Sequence, residues 1–99
     1  MVKKLNHLFM DEAERKLIKV LIEENVVTKL MESYVAEEYE IVDYLVGELV
    51  KVNERIKIAE FKTIINEIDY KVKKNDYSLD KELDQLREII NIIKIQHEI

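Results

Sequence analysis

The chain has no cysteine, no proline and no tryptophan, and one glycine in 99 residues. Without cysteine there is no disulfide and no thiolate chemistry, which fits a reducing compartment. One glycine and no proline leave almost no turn chemistry. An all-β fold needs many such turns, so an all-α fold is expected. Phosphate-binding loops that depend on glycine are excluded for the same reason. Long apolar runs are missing too: the longest is three residues, and nothing of that length crosses a membrane. The first ten residues, with Lys3 and Lys4, are too short and polar for a signal peptide. The expectation is a cytoplasmic protein with no membrane partner.

What is present is a foldable balance. Apolar residues make up 47% and charged residues 37%. A chain of this size makes one domain, here residues 1–99 as a single helical domain, large enough to bury a core without staples. The net charge of −5 argues against nonspecific nucleic-acid binding, so no nucleic-acid partner is expected.

The organising stretch is Thr28 to Lys74. Leu45, Leu49, Val52, Ile56 and Ala59 form one helical series, and Ile58, Phe61, Ile65, Ile68 and Val72 form another. Ile56 and Ile58 lie about 200° apart on a helical wheel, so one straight helix cannot turn both series to one core. As a single helix the stretch would be ~70 Å long. The sequence therefore predicts a break between about Gly47 and Lys57, where Gly47 and Asn53 are weak helix formers. The rival for Val50–Ile58 is a β-hairpin, because Val50-Lys51-Val52 and Arg55-Ile56-Lys57-Ile58 alternate around Asn53-Glu54. That turn lacks the glycine such hairpins favour.

Taken in order, Met1–Met10 carries Val2, Leu5, Leu8 and Phe9 as a short amphipathic helix. Asp11 and Glu14 then make a capping-box-like start for a helix over about 11–24. Its predicted stripe is Ala13, Leu17, Val20 and Leu21, and Asn25 is its stop. A second helix is predicted over about 28–48, with Met31, Tyr34, Val35, Ile41, Val42, Leu45 and Leu49 inward. A third spans about 55–74. Asn75 to Ser78 form the clearest loop, and the last helix covers about 79–98. Charge divides unevenly: residues 26–48 hold Lys29 against six acids, whereas 49–74 hold seven basic residues against four acids. Complementary flanks of antiparallel neighbours account for this; an acidic face for a basic partner is the sharper reading.

The last helix repeats Leu79, Leu83, Leu86, Ile90, Ile93 and His97 at steps of four and three. Near its end Ile89, Ile90, Ile92, Ile93 and Ile95 spread around the wheel, and a helix apolar all round is buried on all sides. A second copy of the chain is expected to supply the missing cover, with Ile89, Ile92, Ile93 and Ile95 at the interface of a homodimer.

Catalytic constellations are not found. His7 and His97 are not spaced for shared ligation, no Glu-x-x-His occurs, and neither Ser33 nor Ser78 has a histidine nearby. No cofactor and no metal are expected. Glu82-Leu83-Asp84 resembles the end of the Ser-Gln-Glu-Leu-Asp signature of small two-helix phosphatases that act on sporulation response regulators. Here Asp80-Lys81 replaces the Ser-Gln pair, and no function is carried over.

The resulting expectation is an all-α bundle of about four helices that dimerises. It is a non-enzymatic interaction or regulatory module, with an unidentified protein as the other candidate partner. The alternative is a winged-helix-like DNA-binding regulator, which requires the hairpin at 50–58.

Overall fold

The computed structural model describes residues 8–99. Five helices follow one another: α1 Glu12–Glu23, α2 Val26–Val35, α3 Tyr39–Asn53, α4 Ala59–Lys73 and α5 Asp80–His97. No strand occurs among the described residues. The all-α expectation holds, with five helices in place of about four. The hairpin at 50–58 is not formed: α3 ends at Asn53, and Glu54 to Ile58 turn the chain into α4. The helix expected over Met1–Met10 lies mostly outside the described residues, as does His7; Leu8 to Met10 are not helical.

The additional helix arises from a break at Ala36–Glu38, inside the stretch read as one helix over 28–48. Glu37 takes a left-handed conformation, φ 58°. Its N–H donates to the Tyr34 carbonyl, and the Glu38 N–H donates to the Ser33 carbonyl. This pair of bonds is the Schellman ending that normally uses glycine. Asn75 ends α4 the same way, with Asn75 N–H donating to Val72 and Asp76 N–H to Lys71. Asn25, φ 54°, separates α1 from α2. Gly47 lies inside α3 with nothing near the position a Cβ would take, so it is not the break.

The break resets the helical phase. In α2 the inward residues are Val26, Leu30 and Ser33, while Val35 is 81% exposed. In α3 they are Val42, Leu45, Val46 and Leu49, and Ile41 faces out. In α1 the buried face is Glu14, Ile18 and Leu21, not the series containing Ala13 and Val20. The series read in α4 and α5 are kept. Phe61, Ile65 and Ile68 are fully buried, as are Leu79, Leu86 and Ile93, and Leu83 is nearly so.

α2, α3, α4 and α5 each pack on the next, and α5 returns to α2. The four close into a ring around these side chains, with α1 laid on α2. The radius of gyration is 13.0 Å, about the ~13 Å of a compact domain of this length. The start of α1 is tied to distant parts of the chain. Lys57 N–H donates to Glu14 at 2.8 Å, Arg15 donates to the His97 carbonyl at 3.1 Å, and Leu8 N–H donates to Gln96 at 2.8 Å. His97 Nε2 in turn donates to the Leu8 carbonyl at 2.7 Å.

Candidate interaction surface

α5 lies between α4 and α2, so a wide arc of its circumference is covered within the chain. That changes the account of the isoleucine-rich end. Ile89, Ile90 and Ile93 retain 3%, 7% and 0% of their accessible surface, so all three sit in the chain's own core. Two neighbouring helices cover these three, while Ile92 and Ile95 stay outside the core, so the five isoleucines do not all face one intrachain core. Of the four residues expected at an interface, Ile89 and Ile93 have almost no surface to offer. Ile92 is half-buried and Ile95 is 78% exposed.

Ile95 and the half-buried Ile92 belong to one flank. Gln85, Glu88, Ile92 and Ile95 step by three and four, one edge of α5. Its first two residues line a shallow groove of about 530 Å³ between α4 and α5, with Ala59, Glu60, Thr63, Ile64 and Ile89. Ile64 and Ile89 form the groove's apolar part, and Glu60 and Glu88 are its acids. Toward the C-terminus the flank becomes purely apolar. Beyond Glu88 its members in α5, Ile92 and Ile95, carry no charge.

A second apolar groove, about 500 Å³, runs between α1 and α3. Val20 is 49% and Tyr44 66% exposed along it, and Glu24, Lys29 and Glu48 are its charged lining. The hydrogen bond to Glu48 pushes the Tyr44 hydroxyl up. Sequence reasoning missed this groove because it placed Val20 in the core.

The densest polar cluster pins the α4–α5 loop. Tyr77 donates to Asp43 at 2.7 Å and stacks on Tyr39 with ring centroids 4.1 Å apart. Leu79 N–H donates to the Tyr34 hydroxyl at 3.0 Å. Lys71 reaches both the Ser78 carbonyl, at 3.0 Å, and the Glu82 carboxylate, at 2.9 Å. Ser78 donates through its hydroxyl and its N–H to Asp76, which holds the Asp76 carboxyl below its usual value. Burial pushes Glu82 up, but the Lys71 ammonium and a backbone N–H outweigh it, and the carboxyl is held low. The second Glu82 oxygen is buried without a partner among the described residues.

The three residues that resemble a phosphatase signature thus go separate ways. Glu82 pairs inward with Lys71, Leu83 is in the core, and Asp84 is exposed beside Arg87. Among the described residues no group of three or more His, Asp or Glu is arranged to hold a metal ion. No helix among them is long and apolar enough to cross a membrane. No protein-family model matches the chain, and no curated protein or solved structure is significantly similar to it.

Proposed function

We propose that the protein is a small helical interaction module without catalytic activity, which self-associates as a two-fold homodimer through the outer flank of α5. The observation that carries this reading is the uncharged pair Ile92 and Ile95 on this flank, with Ile95 78% exposed. Apolar surface rimmed by polar residues marks interaction sites in soluble proteins. A second copy is the occupant that the charge pattern favours. Pairing α5 antiparallel about a point between Ile92 and Ile95 sets each Ile92 against the partner's Ile95. It also places the two Glu88 carboxylates at opposite ends of the pairing, far from one another. A parallel pairing would bring the two Glu88 carboxylates together, and like charges in register are destabilising. Isologous pairing of one patch with itself is the commonest oligomer geometry.

Covering one exposed isoleucine is worth about 1.5–3 kcal/mol. The test is sedimentation of the unmodified protein and of Ile95→Lys. Ile95 is the safer target because the core does not need it. A concentration-dependent dimer that Ile95→Lys converts to a folded monomer supports the reading. A monomer at high micromolar concentration rejects self-association. A dimer that Ile95→Lys leaves intact moves the interface off this flank, with the α1–α3 groove as its next location.

A further inference from the structure

Another edge of α5 borders a different kind of cleft. Arg87, Ile90, Asn91 and Lys94 recur at steps of three, one and three, and together they face the corner where α1 ends and α2 begins. Leu21, Ile22, Asn25, Val27 and Thr28 complete the lining. The apolar members give the cleft an apolar portion, and two carboxamides, a hydroxyl and two cations give it polar walls. No carboxylate is among the lining residues, in a chain whose net charge is −5. Lys94 makes no ion pair among the described residues. Arg87 contacts Asp84 at 3.3 Å through one Nη, on an exposed stretch. A guanidinium carries five N–H donors in a planar fork, so this contact leaves others for a ligand.

The first turn of α2 adds donors at the same place. Asn25 precedes α2 in a left-handed conformation and makes no side-chain cap. The first-turn amides of Val26, Val27 and Thr28 therefore have no side-chain cap, at the positive end of the helix dipole. The cleft holds about 100 Å³. A single water needs ~10–15 Å³ on that measure, so the cleft has room for a small organic group and not only one water.

We propose that this cleft binds a small organic anion, a carboxylate or phosphate monoester on a compact apolar body. The anionic end meets Arg87, Lys94 and the α2 amides, and the body lies on Ile22, Val27 and Ile90. The proposal does not rest on the dimer, although Ile95 follows Lys94 and lies four residues from Asn91 on α5.

The test is an amide chemical-shift titration of the full chain with four probes: phenyl phosphate, 3-methylbutanoate, its neutral amide, and inorganic phosphate. Saturable shifts at Val26 to Thr28 are expected with phenyl phosphate or 3-methylbutanoate at or below roughly 10 mM, a range that covers a millimolar Kd. Which of the two saturates first assigns phosphate or carboxylate as the anionic group. Lys94→Gln is expected to weaken binding roughly five- to tenfold, the worth of one charge-assisted contact at a half-exposed position. Inorganic phosphate is expected to bind more weakly than phenyl phosphate, since it leaves the apolar body empty. Absence of saturable shifts with both organic anions overturns the proposal. So do equal binding of the neutral amide and undiminished binding to the folded double variant Arg87→Gln, Lys94→Gln.

Discussion

The Glu14 carboxylate accepts the backbone N–H of Lys57 at 2.8 Å, joining the first turn of α1 to the turn between α3 and α4. Glu14 is 3% exposed, so this is an acid inside the fold. Its other oxygen completes the capping box by accepting Asp11 N–H at 3.3 Å, while Glu14 N–H donates to Asp11. One side chain thus satisfies two backbone donors that are 46 residues apart in sequence. Glu14→Ala is expected to lower stability by about 2 kcal/mol, because a buried donor loses its partner. A urea midpoint unchanged from the parent would refute this.

Two backbone positions are expected to respond in the stabilising direction. Glu37 holds φ 58°, where a Cβ costs ~1–2 kcal/mol and glycine costs none. Part of that gain is lost to the greater freedom of glycine in the unfolded chain. Glu37→Gly should raise stability by about 0.5–1 kcal/mol. Gly47 has the opposite problem: it sits within α3 with open space where a Cβ would go. Gly47→Ala should add about 0.5–1 kcal/mol. Both appear as higher denaturant midpoints with unchanged slope. A lower midpoint for Gly47→Ala would mean that its environment is tighter than described.

These positions also show where the sequence was readable. The α5 series Leu79, Leu83, Leu86, Ile90 and Ile93 was legible because period and burial coincide. Asn25 was legible as a stop because asparagine tolerates the left-handed region, and Asn75 as the start of a polar loop. The break at Glu37 carried no such mark, since alanine and glutamate are good helix formers and the Schellman bonds there are main-chain. In α1 two faces competed. The wholly apolar series through Val20 looked better than the one through Glu14 and Ile18. The fold uses the second because Lys57 and Asp11 satisfy the Glu14 carboxylate, a contact no local pattern announces. The same limit hid the cleft at Arg87 and Lys94, which exists only once α5 meets the α1–α2 corner.

Lys71 and Glu82 form the most enclosed ion pair among the described residues, with side chains 24% and 5% exposed. Removing the cation strands a buried carboxylate, and that is worse than removing both partners. Lys71→Met should therefore destabilise more than the double variant Lys71→Met, Glu82→Met. The pH dependence has a definite sign. Asp11, Asp76 and Glu82 are all held below their ordinary carboxylate values. Their stabilisation is present above the unfolded carboxylate range and is lost as pH falls through the lower folded values. In Lys71→Met burial dominates at Glu82, its folded pKa rises above the unfolded one, and the acid-side loss should become shallower. A double variant no more stable than Lys71→Met would show that the pair is not coupled.

Tyr77 donates to Asp43, and that hydrogen bond to a carboxylate, with burial second, pushes its phenol up from 10.0 to about 12. The bond exists only while the phenol keeps its proton. Because the folded value lies above the unfolded one, the stabilisation is complete below about pH 10 and is lost as pH rises toward about 12. Ionisation there also places a phenolate against Asp43 and beneath the stacked Tyr39 ring, 4.1 Å away. Alkaline titration followed by tyrosinate absorbance should show a late step that disappears in Tyr77→Phe. Asp43→Ala removes both the hydrogen bond and the charge and leaves burial, so the step should move back toward the ordinary tyrosine range without reaching it. If the parent protein shows one uniform tyrosine transition near the ordinary value, the Tyr77–Asp43 bond does not persist in solution. The α4–α5 loop would then be held by Lys71, Tyr34 and Asp76 alone.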